Sequence, residues 1–79
     1  MKISVRYFAV FREQRGLGQE TIDTKAPTAA ALYAELQGRF SFALDVSLVR
    51  PAINGAYKPW SEPLRDGDEV VLIPPVAGG

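Results

Sequence analysis

The sequence predicts an α+β domain in which one mixed β-sheet carries a single main helix on one face. Three observations support this fold class: apolar and polar residues alternate near the start of the chain, apolar residues recur at helical spacing in an alanine-rich segment, and β-branched residues cluster near the end. With 79 residues, 47% of them hydrophobic, the chain is long enough for one domain with one core.

The first strand is predicted at about residues 2 to 10, because apolar residues occupy alternate positions there. The residues expected to face the core are Ile3, Val5 and Tyr7. Phe8 and Val10 have the opposite parity, so in a regular strand their side chains project from the other face. This pattern predicts an apolar patch outside the core.

A second strand is predicted around residues 20 to 23. Gly16 and Gly18 supply the turn that precedes it. The strand is expected to return antiparallel to the first one and to direct Ile22 towards the core.

The main helix is predicted from about residue 28 to residue 38. Thr28 suits the N-cap position, and Gly38 suits a left-handed C-terminal cap. One face of this helix must lie against the sheet, because it carries apolar residues at helical spacing. These residues are Ala29, Leu32, Tyr33, Leu36 and Phe40.

The second half of the chain predicts a hairpin and a final central strand. Asn54-Gly55 lies between two extended pieces and is typical of a type I′ hairpin turn. Residues 65 to 68 form a further turn, and the β-branched run from 69 to 73 reads as a buried strand. Pro74-Pro75 should end it, because proline cannot donate a ladder hydrogen bond.

This order of elements is the plan of a β-grasp, or ubiquitin-like, fold. We expect residues 1–75 to form the domain and residues 76–79 to form a flexible C-terminal Gly-Gly tail. If the last strand lies beside the first, Phe8 and the root of the tail become neighbours. A partner could then bind both together.

Composition argues against several classes of function. Nine basic and nine acidic side chains cancel, which removes the charge expected of a nucleic-acid or membrane-surface binder. Cysteine and histidine are both absent, so the chain has no thiol or histidine-assisted nucleophile, and this argues against an autonomous enzyme. The spacing of Asp66, Asp68 and Glu69 does not fit a calcium loop, so we predict no metal site. With no membrane-spanning run or signal-peptide pattern, a cytoplasmic location is the default expectation.

The last two residues, Gly78-Gly79, are the most informative feature. Glycine has no Cβ, so this end can enter a passage too narrow for other residues. A terminal carboxylate that reaches an active site in this way can be chemically activated. A frayed end or a linker remnant is the common alternative meaning of such a terminus.

Four segments of the chain carry a recognisable pattern: Tyr7 to Glu13 with Gly16, Ile53-Asn54-Gly55, Leu64 to Val70, and Pro74 to Gly79. Together they resemble the small subunit of molybdopterin synthase, a sulfur carrier of the MoaD/ThiS family, and the resemblance runs nearly end to end. Between Phe40 and Arg50, and in the main helix, only the hydrophobic pattern matches. Those regions therefore support the fold and not the function.

The resemblance implies that Gly79 is adenylated by an E1-like adenylyltransferase, which uses ATP and magnesium, and then receives sulfur from a donor as a thiocarboxylate. The thiocarboxylate would give its sulfur to cyclic pyranopterin monophosphate in the large synthase subunit, where the catalytic residues are expected. The implied assembly is a heterotetramer, and this chain itself would bind no cofactor. Tail threading would involve Val76, Ala77 and Gly78. The residues expected to contact the partner are Phe8, Arg12, Pro74 and Pro75.

Three alternatives remain open at this point. The same Gly-Gly end would serve a sulfur carrier for thiamine or another pathway. It would also serve a ubiquitin-like modifier, in which a lysine amine captures the activated terminus instead of sulfur. A plain interaction domain with an inert end is the third possibility.

Overall fold

The computed structural model describes residues 1–75 of the chain. Five strands and two α-helices account for most of this segment, and a short 3₁₀ helix spans Val46–Leu48. In chain order the elements are β1 (Lys2–Tyr7), α1 (Val10–Arg15), β2 (Gln19–Asp23), α2 (Ala29–Phe40), β3 (Arg50–Ile53), β4 (Ala56–Tyr57) and β5 (Glu69–Ile73).

The strands form one mixed sheet in the order β2-β1-β5-β3-β4. The last strand, β5, lies in the middle and pairs parallel with β1, where Tyr7 is opposite Leu72. It pairs antiparallel with β3, and the remaining two pairs are antiparallel as well. The α+β, ubiquitin-like β-grasp prediction is confirmed, and so is the central position of the final strand.

The core lies between α2 and one face of the sheet. Alternate residues of β1 point into it, as the period-two pattern predicts. Alternate residues of β5 do the same, and one stripe of α2 covers both strands. Its largest fully buried side chains are Tyr7, Tyr33, Phe11, Ile3, Leu32, Leu36, Leu72, Val5 and Val70. Burial of each Val, Leu or Ile side chain contributes about 1.5–3 kcal/mol, so these two strands and α2 supply much of the stability.

The first strand ends at Tyr7, three residues before the predicted end, and the prediction of a strand through residue 10 is wrong. Ala9 turns the chain with a φ of 49°, and α1 begins at Val10. Val10 packs against the core, so it does not belong to an outer patch. The physical reason is Phe11, which is fully buried and lies edge-on to Phe42 at 5.1 Å between ring centroids.

The start of α2 is as predicted, but its end is not. Thr28 is the N-cap, and its hydroxyl oxygen accepts a 3.2 Å hydrogen bond from the Ala31 N–H. Gly38 is an interior helical residue, and Ser41 provides the left-handed cap with a φ of 55°. Continuing the helix to Phe40 brings that ring to 5.8 Å from Phe42, and this packing outweighs the local preference of glycine for the cap.

The predicted turns are confirmed, and their polar residues join distant segments. Asn54 and Gly55 have φ values of 52° and 85° between β3 and β4, as a type I′ turn requires. In the turn before β5, an Asp66 carboxylate oxygen accepts a 2.6 Å bond from the Lys2 N–H. Asp68 accepts a 2.9 Å bond from the Asn54 side-chain amide. These carboxylates therefore fix the relative positions of the sheet's strand ends.

Within residues 1–75, no helix is both long and apolar enough to cross a membrane.

Two alanine-to-glycine substitutions should have opposite effects on stability. Ala9 adopts a φ of 49° and a ψ of −122°, a region that only glycine enters without strain, so Ala9→Gly should raise the free energy of unfolding by about 1 kcal/mol. Ala34 is exposed within α2, so Ala34→Gly should lower it by about 0.5–1 kcal/mol. Urea denaturation measures both. A loss of stability in the Ala9 variant would contradict the proposed strain.

Candidate functional site

The candidate site is the end of the sheet from which the tail leaves. Because β1 and β5 are parallel and Tyr7 is opposite Leu72, Phe8 and Pro74 both follow the sheet at this end. Phe8 is 48% exposed, although it lies in a loop and not on the outer face of a strand. Pro74 is half-buried and Pro75 is exposed. Two elements of the predicted partner surface therefore lie at one end of the molecule.

A groove of about 420 Å³ opens beside the root of the tail. Its lining residues are Ser47, Leu48, Arg50, Tyr57, Ile73, Pro74 and Pro75. Leu48 and Tyr57 are large apolar side chains that are 52% and 66% exposed. Exposed apolar side chains in one concave surface are typical of a protein-binding site.

Sequence reasoning missed Leu48, Arg50 and Tyr57. Tyr57 is opposite Ala52, and Ala52 is opposite Val71. The side chains of Tyr57, Ala52 and Val71 therefore project from the sheet face that α2 does not cover. The position of Tyr57 after the Asn54-Gly55 turn could have revealed its face, once the hairpin register was assumed. Leu48 offered no such signal, because it lies in the 3₁₀ helix.

Hydrogen bonds to main-chain carbonyls hold the 41–49 segment, and hence Leu48, in place. The Tyr33 hydroxyl donates a 2.6 Å bond to the Leu44 carbonyl, and the Trp60 indole donates a 3.2 Å bond to the Val49 carbonyl. Asp45 caps the 3₁₀ helix by accepting a 3.0 Å bond from the Ser47 N–H, and its bonds from Ser47 lower the pKa of the Asp45 carboxyl. The groove wall is therefore held in place by α2 and by the segment after β4 that contains Trp60.

A polar network anchors α1, the helix that follows Phe8. Arg15 donates two hydrogen bonds of 2.7 and 2.8 Å to the Glu20 carboxylate, and the Tyr7 hydroxyl donates a third of 2.7 Å. The Arg15 guanidinium also lies 4.2 Å from the centre of the Phe40 ring. This network joins α1 to β1, β2 and α2.

The network perturbs the titration of its members. The hydrogen bonds from Arg15 hold the pKa of Glu20 below its usual value, against the opposing effect of burial. Burial, reinforced by the neighbouring Glu20 carboxylate, raises the pKa of the Tyr7 phenol far above its usual value. Glu20 therefore stays ionised and Tyr7 stays neutral at physiological pH. We assign these two groups a structural role and not a catalytic one, because the Tyr7 hydroxyl is hydrogen-bonded to the Glu20 carboxylate.

Arg12 lies on α1 but not in the groove. Its side chain covers Gly18, where an added Cβ would lie 3.6 Å from the Arg12 Nε atom. It is exposed. The prediction that Arg12 contacts a partner is compatible with this exposure, but Arg12 does not line the groove that contains Pro74 and Pro75.

Residues 1–75 contain no group of three or more His, Cys, Asp or Glu side chains placed to hold a metal ion. Gly79, Gly78, Ala77 and Val76, which were assigned to cargo attachment and tail threading, lie outside the described residues. Their roles stay predictions. The site described here is the surface that surrounds the root of the tail.

Comparison with protein families finds a match to the ThiS family model over residues 5–79. Among curated proteins, the chain is 36% identical to the molybdopterin synthase sulfur carrier subunit of Escherichia coli strain K12, over 98% of this chain and 99% of that protein. It is 37% identical to the molybdopterin synthase sulfur carrier subunit of Chlamydomonas reinhardtii, with 100% of both chains covered.

Solved structures show the same fold. A putative molybdopterin converting factor subunit 1 from Pyrococcus furiosus matches with a TM-score of 0.79 and 34% identity, over 96% of this chain and 99% of that one. In the complex of subunits 1 and 2 of the Helicobacter pylori molybdopterin-converting factor, a chain matches at TM-score 0.69 and 29% identity, with 100% of both covered. SAMP1 from Haloferax volcanii, at TM-score 0.80 and 24% identity over 100% of both chains, shows the fold alone.

The stability of the chain should fall in acid through loss of the Glu20 network. Because the folded pKa of Glu20 is depressed, its contribution is present above the unfolded value of about 4.3 and is lost as pH falls through the folded pKa. Glu20→Gln should therefore flatten the decline of unfolding free energy below about pH 4.3. Urea denaturation across pH 2–7 tests this.

Glu13→Gln is the matched control, since it removes an exposed carboxylate from α1 without touching the network. It should leave the acid decline in place. An identical decline in the wild type and the Glu20 variant would show that the network does not contribute to the pH dependence.

Proposed function

The chain belongs to the ThiS family, and on that premise we propose that it is the sulfur carrier subunit of a molybdopterin synthase. The observation that carries the proposal is its full-length similarity to curated sulfur carrier subunits from a bacterium and an alga. The family match extends to Gly79, so it includes the Gly-Gly end. Residues 1–75 form the folded platform, and residues 76–79 form the arm that carries the cargo.

The proposed chemistry begins at the Gly79 carboxylate. A carboxylate is a poor acyl donor because its leaving group would be oxide. When it attacks the α-phosphorus of ATP and pyrophosphate departs, the product is a mixed anhydride whose leaving group is AMP. We assign this step to an E1-like adenylyltransferase with bound magnesium. Hydrosulfide from a sulfur donor then attacks the acyl carbon and displaces AMP, which leaves the thiocarboxylate on Gly79. If the donor is a persulfide, the first product is an acyl disulfide, and a thiol must reduce its S–S bond to release the thiocarboxylate.

The second stage transfers this sulfur to cyclic pyranopterin monophosphate to build the dithiolene of molybdopterin. The thiocarboxylate sulfur is the nucleophile, so the carrier needs no general acid or base of its own. After the carbon–sulfur bond to the pterin forms, water must cleave the acyl–sulfur bond and regenerate the Gly79 carboxylate. The groups that assist these steps belong to the large subunit, which fits a chain without Cys or His.

The length of the arm is compatible with this division of work. The four residues of the arm, together with Pro74 and Pro75 at its root, reach at most ~20 Å when extended. Gly78, Ala77 and Val76 are small enough to thread a narrow channel, and the two prolines reduce the entropy that the arm loses on entering it. Binding of the platform would thus deliver the terminus into a buried site without exposing that site to solvent.

The surface around the root of the tail is the proposed docking site for the large subunit. Phe8 and the groove with Leu48, Tyr57 and Pro74 offer apolar area beside the arm. The Helicobacter pylori complex of subunits 1 and 2 supports a partner of this kind. We propose a heterotetramer with two carriers on a large-subunit dimer, working in the cytoplasm, where ATP is present.

Mass spectrometry of protein isolated from its own cells tests the proposed cargo. Exchange of oxygen for sulfur at Gly79 under sulfur-replete conditions is the expected result. An isopeptide bond between Gly79 and a lysine would identify a protein modifier instead. An unmodified terminus would count against both.

Removal of Gly79 tests whether the terminal residue is needed for function, and the full-length chain is the control. The truncated chain should fail to restore molybdenum-enzyme activity to cells that lack the native subunit, although residues 1–75 are unchanged. Restored activity would rule out the mechanism. Deletion of the gene for this chain from its own organism separates the pathways. Loss of thiamine synthesis with molybdenum-enzyme activity retained would identify a thiamine sulfur carrier instead.

Phe8→Ser should weaken binding to the large subunit by at least about tenfold, because it removes an exposed apolar group beside the arm. It should lower the free energy of unfolding by only about 1 kcal/mol or less. The fully buried Phe11 provides the comparison, since Phe11→Ser should cost about 3–5 kcal/mol. Isothermal titration calorimetry and urea denaturation measure the two quantities. A stability loss in the Phe8 variant as large as that of Phe11→Ser would assign Phe8 to the core.

A further inference from the structure

The face of the sheet opposite α2 has a charge pattern that the neutral composition conceals. In the row nearest the tail, Ile73 is opposite Arg50. The next row crosses all five strands, from β2 to β4, and contains Gln19, Arg6, Val71, Ala52 and Tyr57. Residues directly opposite each other in a sheet share a face, so these side chains form one surface, which we call the outer face.

The outer face combines four apolar side chains with two arginines on the strands either side of β5. Among the apolar residues, Tyr57 is exposed, Val71 and Ile73 are half-buried, and Ala52 is buried beneath its neighbours. Arg6 and Arg50 are exposed, and neither forms an ion pair or a side-chain hydrogen bond within residues 1–75. No acidic residue lies in either row. The nearest acid in register, Glu69, is one row farther from the tail and half-buried. The tail thus leaves a positively charged surface of a chain whose net charge is zero.

We propose that the large subunit meets the outer face with an apolar surface flanked by carboxylates that pair with Arg6 and Arg50. This inference rests on the proposed function and identifies the chemistry of the partner surface. Apolar contact alone would hold the two proteins together but would not fix their orientation. Two cations on the strands either side of β5, in different rows, make the surface directional.

The position of Arg50 explains what this orientation achieves. Arg50 is paired with Ile73, the last strand residue before the prolines, so a carboxylate bound to Arg50 lies beside the point where the arm departs. Arg6 is paired with Val71 and fixes the rotation about that point. Guanidinium groups suit this task, because they bind carboxylates through two parallel hydrogen bonds.

A second copy of this chain is a poorer occupant of the outer face. Two outer faces placed together would bring unpaired arginines towards one another and leave both pairs without counter-charges. A partner protein with carboxylates at these positions satisfies the charges and the apolar side chains together.

Charge reversal with a matched control tests the proposal. The variants are Arg6→Glu, Arg50→Glu and their combination, and the control is Lys25→Glu. Lys25 is exposed between β2 and α2 and lies beside Glu35 and Arg39, away from the outer face. Each single reversal changes the net charge by the same amount. Stopped-flow association with the large subunit from the same organism is measured from low salt to about 0.5 M, where charges separated by more than a few ångströms are screened.

We expect the double reversal to lower the association rate constant at low salt by about tenfold or more, and the difference to shrink as salt is added. Lys25→Glu should change it by less than about twofold, and Arg6→Lys with Arg50→Lys should retain most of the wild-type rate. Unchanged thermal midpoints show that the variants fold.

Two results would overturn the inference while leaving the proposed function intact. One is a wild-type association rate that does not depend on salt; the other is equal rates for the double reversal and Lys25→Glu. Dimerisation of the free chain through the outer face, abolished by Tyr57→Ser, would also overturn it. Failure of the wild-type chain to bind the large subunit at all would instead contradict the proposed function.

Discussion

The parallel pairing of β1 with β5 is the constraint on which the rest of the molecule depends. It brings the first and last strands together in the middle of the sheet, with Val5 and Val70 buried opposite each other. The Asp66 carboxylate, in the turn before β5, accepts a hydrogen bond from the main-chain N–H of Lys2 at the start of β1. The two strands therefore begin in fixed register. The pairing also determines that Phe8 and Pro74 leave the sheet at the same end. A rigid base for the arm follows from the way the core is built.

The sequence predicted those features that local chemistry decides. Thr28 starts α2, Asn54-Gly55 makes a two-residue hairpin, and the run from 69 to 73 is the central strand. Prediction from the sequence failed where packing between distant residues determines the local structure. A six-residue helix has no stability of its own, so α1 exists because Phe11 fits between Tyr33 and Phe42, which no local pattern reveals.

The candidate site divides in the same way. Phe8, Pro74 and Pro75 could be chosen from the sequence because they adjoin recognisable strand ends. The hairpin register could have revealed the face on which Tyr57 lies, but Leu48 and Arg50 offered no such signal. The groove that unites all three exists only when the 3₁₀ helix, β3, β4 and β5 are placed side by side. The charge of the outer face is hidden for the same reason. Total charge is a sum over the chain, whereas the register places Arg6 and Arg50 on one face of the sheet, on the two strands that pair with β5.

The central position of β5 has a consequence for synthesis of the protein. This strand is made last, yet it pairs with both β1 and β3, so the two halves of the sheet have no direct connection until it has left the ribosome. A nascent or prematurely terminated chain lacks the middle of its sheet and cannot close its core. The residues after β5 are synthesised last of all, so they become available only after every strand of the sheet has been made. Any protein that recognises both the sheet and the C-terminus therefore selects chains whose synthesis is complete through β5.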